Sequence, residues 1–232
     1  MANFFLDVGI STGPVLGYIS QYKLIQKNES LGNFSIDVCA ILIFSNILRI
    51  FFWFGKPFEF ALLAQSFFMI AMQIYLLKLC VETNKDIIGL SMKQNNGKSI
   101  NLMLEKNLLK QKFWLKFWRW EVYESYLYSV IAFFLGNVFL FTMFNQSTFY
   151  VEMLGAFSAL IEATLGLPQL IKNFKNKKAH GVSYALIGSW FLGDAFKTFY
   201  FILKKQPMQF IICGIAQLCV DIMIILQIKF YQ

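Results

Sequence analysis

Apolar positions cluster into seven runs, over 8–24, 34–54, 58–79, 123–144, 149–170, 182–203 and 208–228, each predicted to be a helix. A bilayer core takes about 20 helical residues, so every run is long enough to span, the first being the shortest. Few polar residues interrupt the runs, and each needs a reason, because a charge inside a membrane segment points to function. The fifth run ends Glu162-Ala-Thr-Leu-Gly-Leu-Pro168-Gln169. Proline inside a helix removes one backbone hydrogen bond, and in lipid that loss must be repaired within the protein. The Gln169 amide both donates and accepts, so it suits the repair. The sixth run carries Gly193-Asp194-Ala-Phe-Lys197, an acid and a base three residues apart.

Polar positions also recur at one offset. Displaced by 148 residues, Gln21 falls on Gln169, Ser35 on Ser183, Asn46 on Asp194, Arg49 on Lys197 and Gln73 on Asp221. Pro14 falls on Glu162, and Phe52-Trp53 on Tyr200-Phe201. Runs one to three therefore match runs five to seven, with run four between them. A single linking span makes the two units cross the membrane in the same sense, a parallel repeat about an axis along the membrane normal. The expected fold is an all-α integral membrane protein of seven transmembrane helices. Residues 1–81 form the first three-helix repeat, 82–121 a basic loop with an amphipathic helix, 122–146 the linker span and 147–232 the second repeat.

Composition agrees with the pattern. Hydrophobic residues make up 57% of the 232 and aromatics 18%, more apolar surface than a soluble domain of this size uses. The net charge of +8 does not indicate nucleic acid, because the bases segregate by loop. The loops between runs one and two, three and four, and five and six, with the C-terminus and the adjoining span ends at Lys23 and Lys78, hold 16 of the 21 Lys and Arg; Lys56, Lys204 and Lys205 lie on the other side. Positive charge stays in the cytosol, so the C-terminus is expected there and the N-terminus in a lumen. Within the longest loop, 85–99 reads as polar and mobile. In 101–120, Leu102, Leu109, Phe113, Phe117 and Trp120 recur at helical spacing against Glu105, Lys112, Lys116 and Arg119. That is the pattern of a basic helix lying on anionic cytosolic lipid.

Several chemistries find no support. The four cysteines, Cys39, Cys80, Cys213 and Cys219, have no metal or disulfide spacing and read as packing residues. There is no nucleophile with a base and no phosphate-cradling glycine loop, so no enzyme and no cofactor are expected. The remaining candidates are a furrow of Asn46, Arg49, Asp194, Lys197 and Glu162, and hinges at Ser20-Gln21 and Pro168-Gln169. Lys197 lies one turn after Asp194 on the same helix face, so the two are read either as a self-neutralised pair or as part of the furrow. Glu162 pairs with a cation or stays protonated; Gln73 and Asp221 read as interhelical hydrogen bonders.

The segments Asn46-Ile-Leu-Arg49-Ile-Phe-Phe-Trp53-Phe-Gly55, Glu162 to Gln169, Gly193-Asp194-Ala-Phe-Lys197-Thr and Gln209-Phe-Ile-Ile-Cys213-Gly resemble the PQ-loop family, and within it the solute carrier 66 member-two group. That family shares its three-one-three architecture with the SWEET sugar exporters. One departure is Ser20-Gln21, where the family has Pro-Gln; Pro14 and Gly17 would have to supply the first kink. The resemblance implies a role at endosomes and the trans-Golgi network, in phospholipid movement between leaflets and in endosome-to-Golgi retrograde traffic. Its partners would be membrane lipids through their headgroups. Other branches export amino acids from acidic organelles such as lysosomes, often with protons, and a non-transporting trafficking adaptor is a third class. A seven-span receptor is disfavoured, since such receptors are not built from two matching halves.

The charge count makes a direct test. An Asn95→Cys variant should react with a membrane-impermeant thiol reagent from the cytosolic side only; labelling confined to the lumen would invert the topology.

Overall fold

A computed structural model describes residues 2–31, 34–94, 118, 120, 122–177 and 184–231. Among the described residues all regular structure is helical. The helices are α1 (Ala2–Asn28), α2 (Asp37–Gly55), α3 (Phe60–Gln94), α4 (Tyr123–Phe144), α5 (Thr148–Ala163), α6 (Leu167–Asn176), α7 (Tyr184–Leu203) and α8 (Met208–Phe230). Local chemistry sets several ends. α2 opens with Asp37, a negative charge at the positive end of the helix dipole, and stops before Lys56-Pro57. Pro207 precedes α8. The Ser147 hydroxyl caps α5 by accepting the Tyr150 N–H at 3.4 Å.

α2 is the centre of the bundle. It packs on α3, α4 and α5, while α5 and α7 both pack on α8. Among the described residues four helices are long and apolar enough to cross a membrane: α2, α3 as far as Asn84, α4 and α8. α4 lies on the outside, with Tyr128, Phe139 and Met143 each 63–70% exposed. An apolar surface of this extent is suited to lipid rather than water.

Helix bounds recur at the offset seen among polar residues. α2 displaced by 148 covers 185–203, against 184–203 for α7; α3 begins at 60 and α8 at 208; α1 ends at 28 and α6 at 176. Packing recurs too. α1 and α2 both contact α3, as α6 and α7 both contact α8, and the halves meet through α2 on α5 and α1 on α7.

Three expectations change. The fifth run is not one helix. A proline ring cannot follow the carbonyl four residues earlier in a continuous helix, so the chain breaks at 164–166. Leu167 N–H closes the break on the Thr164 carbonyl at 3.0 Å, and Pro168 stands in the first turn of α6, where its missing N–H costs nothing. The stretch from Lys85 is not a loop at its start, because α3 runs on to Gln94. That extension holds Ile87, Ile88, Leu90 and Met92 and no proline, so nothing in it stops the helix. The amphipathic stretch 101–120 lies outside the described residues except at its end. There Trp118 adopts φ 61, which is not helical, and its ring packs on Phe44 and Tyr126 at 5.1 Å each. Trp120 joins it, 5.0 Å from Tyr126, so these rings face the bundle and not the bilayer.

Close approach of α2 and α5 needs a residue without a side chain. A Cβ on Gly155 would lie 2.8 Å from Cζ of Phe52, a ring with no exposure. Gly155→Ala should therefore lower the thermal midpoint in detergent, with an overpacking cost of about 1–3 kcal/mol. Phe52→Leu should recover part of it, and Gly136→Ala, which meets nothing within 4 Å, should leave the midpoint unchanged.

Candidate functional site

Three helices deliver charge to one buried point. α2 carries Arg49, the last turn of α5 carries Glu162 and α7 carries Lys197, each no more than 7% exposed. The Arg49 guanidinium pairs with Oε2 of Glu162, and the Lys197 ammonium donates to Oε1. One carboxylate thus bridges a base from each half of the chain. Removing Glu162 would strand two cations in an apolar interior, whereas removing either cation leaves one ion pair. The surrounding contacts hold α5 in place. Ser158 Oγ donates to the Ser45 carbonyl at 2.9 Å, Cys213 Sγ to that of Ala159 at 3.1 Å, and Gln217 Nε2 to that of Glu162 at 3.4 Å.

Aromatic rings close one end of the cluster. Arg49 Cζ stands 5.2 Å from the centre of the Phe210 ring, and Lys197 Nζ 5.7 Å from that of Phe201. Phe210 in turn contacts Phe58 at 5.0 Å, Phe201 at 5.5 Å and Phe52 at 5.8 Å. Ring faces carry negative potential, so the cap stabilises the two cations while excluding water.

Asp194 does not pair with Lys197 as the three-residue spacing suggests. Lys197 turns to Glu162, and the Asp194 carboxyl lies beside that of Asp221 of α8. Asn46, one turn before Arg49, donates to its own helix at the Leu42 carbonyl, 2.7 Å away. Its Oδ1, Arg49 Nε, Gln65 Oε1, both amide atoms of Gln73 and Asp221 Oδ2 are buried without a hydrogen-bond partner among the described residues. They give the bundle interior spare donors and acceptors.

The furrow residues thus come together only in part. Arg49, Lys197 and Glu162 are in contact, Asp194 lies beside Asp221 instead, and Asn46 is one turn away. Of the hinge residues, Ser20 is exposed and bonds the Leu16 carbonyl at 3.1 Å, and Gln21 is half-buried. The expected role of the Gln169 amide lies outside the described residues. Sequence reasoning did not place Gln217 or the phenylalanine cap. Gln217 was findable as one of the few polar residues of the last run; two phenylalanines among 27 carried no signal.

An all-helical bundle with several spans and a buried charge cluster is a multi-pass membrane protein. Residues 150–210, which contain Glu162, Pro168, Gln169, Asp194 and Lys197, match the PQ loop repeat, so the chain is a membrane protein with a PQ-loop repeat. It is similar to Scramblase ANY1 of Saccharomyces cerevisiae, 24% identical in an alignment covering 96% of this chain and 69% of that protein.

The bridging role of Glu162 sets an expectation. Glu162→Gln leaves two buried cations without their carboxylate and should cost about 3–5 kcal/mol, read as a lowered thermal midpoint and yield. Adding Lys197→Gln should recover much of the loss. Asp194→Asn keeps a donor toward Asp221 and should leave the midpoint near wild type; a larger loss in Asp194→Asn than in Glu162→Gln would show that the bridge is not the main prop.

Proposed function

We propose that this protein scrambles phospholipids between leaflets, with the headgroup passing along a polar furrow of Asn46, Arg49, Glu162, Asp194 and Lys197 while the acyl chains stay in lipid. The observation that carries this reading is a buried cluster of paired charges where the two halves meet, in an otherwise apolar bundle. Intramembrane charge that faces the bundle interior marks pathways for polar cargo. The unpartnered Asn46 Oδ1 and Gln73 amide extend the polar surface, and the name of the yeast relative supports the choice of lipid as cargo. The recurring helix bounds support a parallel three-one-three bundle, divided near residues 81, 121 and 146, with the N-terminus lumenal and the C-terminus cytosolic. In this reading the break before Pro168 is the hinge of the second half, with Ser20-Gln21 as its weaker counterpart. The protein works in the endosome and trans-Golgi system, serves retrograde transport, and is of the solute carrier 66 member-two type.

The neighbouring Asp194 and Asp221 carboxyls favour a second reading, proton-coupled export of a small solute from an acidic organelle, because acids inside spans form proton relays.

One assay separates the two. Purified protein in liposomes carrying a fluorescent headgroup-labelled phospholipid is exposed to an impermeant reductant. Wild type should let the inner-leaflet probe be bleached without a pH gradient. Asp194→Asn should slow that step by about tenfold or more, the worth of one charge-assisted hydrogen bond to a passing headgroup. If bleaching stops at the outer leaflet in wild type, scrambling is wrong. If Asp194→Asn scrambles normally but no longer responds to a pH gradient in solute uptake, the export reading replaces it.

A further inference from the structure

The geometry points to a phosphate-binding basin at the bundle end where the two equivalent turns, 56–59 and 204–207, face each other. A cavity of about 610 Å³ opens there, lined by Lys56, Phe58, Glu59, Lys204, Lys205 and Gln206 among others. Its size is that of a small-molecule site, roomier than a bare phosphate needs. The turns are tied together. Lys204 Nζ pairs with Glu59 at 3.3 Å, the Glu59 N–H donates to Gln206 Oε1 at 3.4 Å, and the Trp53 indole donates to the Phe58 carbonyl at 3.0 Å. Lys56 is neutralised by Glu152 at 2.5 Å, and Glu152 also accepts from Gln209. Two of the three lysines therefore have a carboxylate. Lys205 has none among the described residues, so the basin carries one uncompensated positive charge.

The backbone at Lys205 adds a second observation. Its φ is 47, and the bonds Lys205 N–H to Ile202 carbonyl, 3.2 Å, and Gln206 N–H to Phe201 carbonyl, 2.9 Å, make the helix-ending turn that normally takes glycine. A lysine there holds a left-handed conformation at a cost glycine would avoid. A lysine at a helix end complements the dipole, and its exposed ammonium is also free to meet an anion in the basin. Phe60, 70% exposed at the start of α3, gives the rim an apolar lip, which suits a phosphodiester attached to acyl chains. Phe58, at the basin wall, belongs to the aromatic cap over Arg49, so the basin abuts the cap that closes the charge cluster. This rests on the scrambling reading only for lipid as the source of the phosphate.

The test is equilibrium binding to the purified full chain in detergent. The probes are a fluorescent short-chain phosphatidylglycerol and the same fluorophore on short-chain diacylglycerol. The phospholipid should bind saturably and the diacylglycerol should not. Lys205→Gly should raise the Kd about fivefold, one lysine–anion contact at a lipid surface, with an unchanged or higher thermal midpoint. Lys205→Arg should keep wild-type binding. Inorganic phosphate competing as well as phospholipid would keep the phosphate chemistry and name the free ion as its source. Equal binding of the diacylglycerol probe, or equal Kd for wild type and Lys205→Gly, overturns the basin. Binding without lipid exchange in liposomes would sink scrambling and leave the basin standing.

Discussion

The structure turns on a single carboxylate that pairs with two cations inside an apolar bundle. Glu162 holds Arg49 and Lys197 at once, and no other described acid pairs with either. Each cation would be costly to bury alone, so α2, α5 and α7 must converge at the same depth. Convergence explains the small residues beside it. Gly155 lets α5 lie against Phe52 of α2, and Ser158 reaches the Ser45 carbonyl. Gly214, where a Cβ would run into the Thr198 side chain, does the same for α7 on α8. Helices in lipid gain little from hydrophobic association, and close packing with a few polar links replaces it.

The arrangement is also an economy of symmetry. Arg49 and Lys197 occupy matching positions of the two halves, but Glu162 matches Pro14. A symmetric bundle would have two acids for its two bases. Here one acid serves both, which places it on the boundary between the halves. The same asymmetry separates Asn46 and Gln73 from Asp194 and Asp221. The first half presents neutral amides where the second presents a carboxyl pair, so only the second half can hold a proton there.

The helices were legible because membrane spans announce themselves by length and apolarity, and the fourth run coincides with α4 to the residue. The list of polar intruders was legible for the same reason, since each stands alone in an apolar run. Their partners were not. Spacing placed Lys197 one turn from Asp194, but a long flexible ammonium reaches any carboxylate within its arc, and Glu162 lies across the helix interface. Pairing across helices depends on their rotation about their axes, which no local pattern encodes. The break in the fifth run was half legible. Pro168 announced it, yet a proline acts on the carbonyl four residues back, so the chain parts at 164–166.

That displacement matters for how the bundle can move. Glu162 is the last-but-one residue of α5, directly before the break. Upstream, α5 is fastened to α2 through Ser158 and Gly155. Downstream, α6 is fastened to α8: Gln227 Nε2 donates to the Leu170 carbonyl at 3.1 Å, and Leu167 and Leu170 pack on Val220, Ile224 and Ile228. A Cβ on Gly166 would meet Val220 at 2.6 Å, so α6 starts flush against α8. The joint between these two fastened bodies is three residues long, and the bridging carboxylate sits at its edge. The last turn of α5 is itself tied to α8, through Cys213 to the Ala159 carbonyl and Gln217 to that of Glu162, so the carboxylate is held from both sides of the break. In the hinge reading, bending at this joint and release of the ion pair would be one motion between two packings.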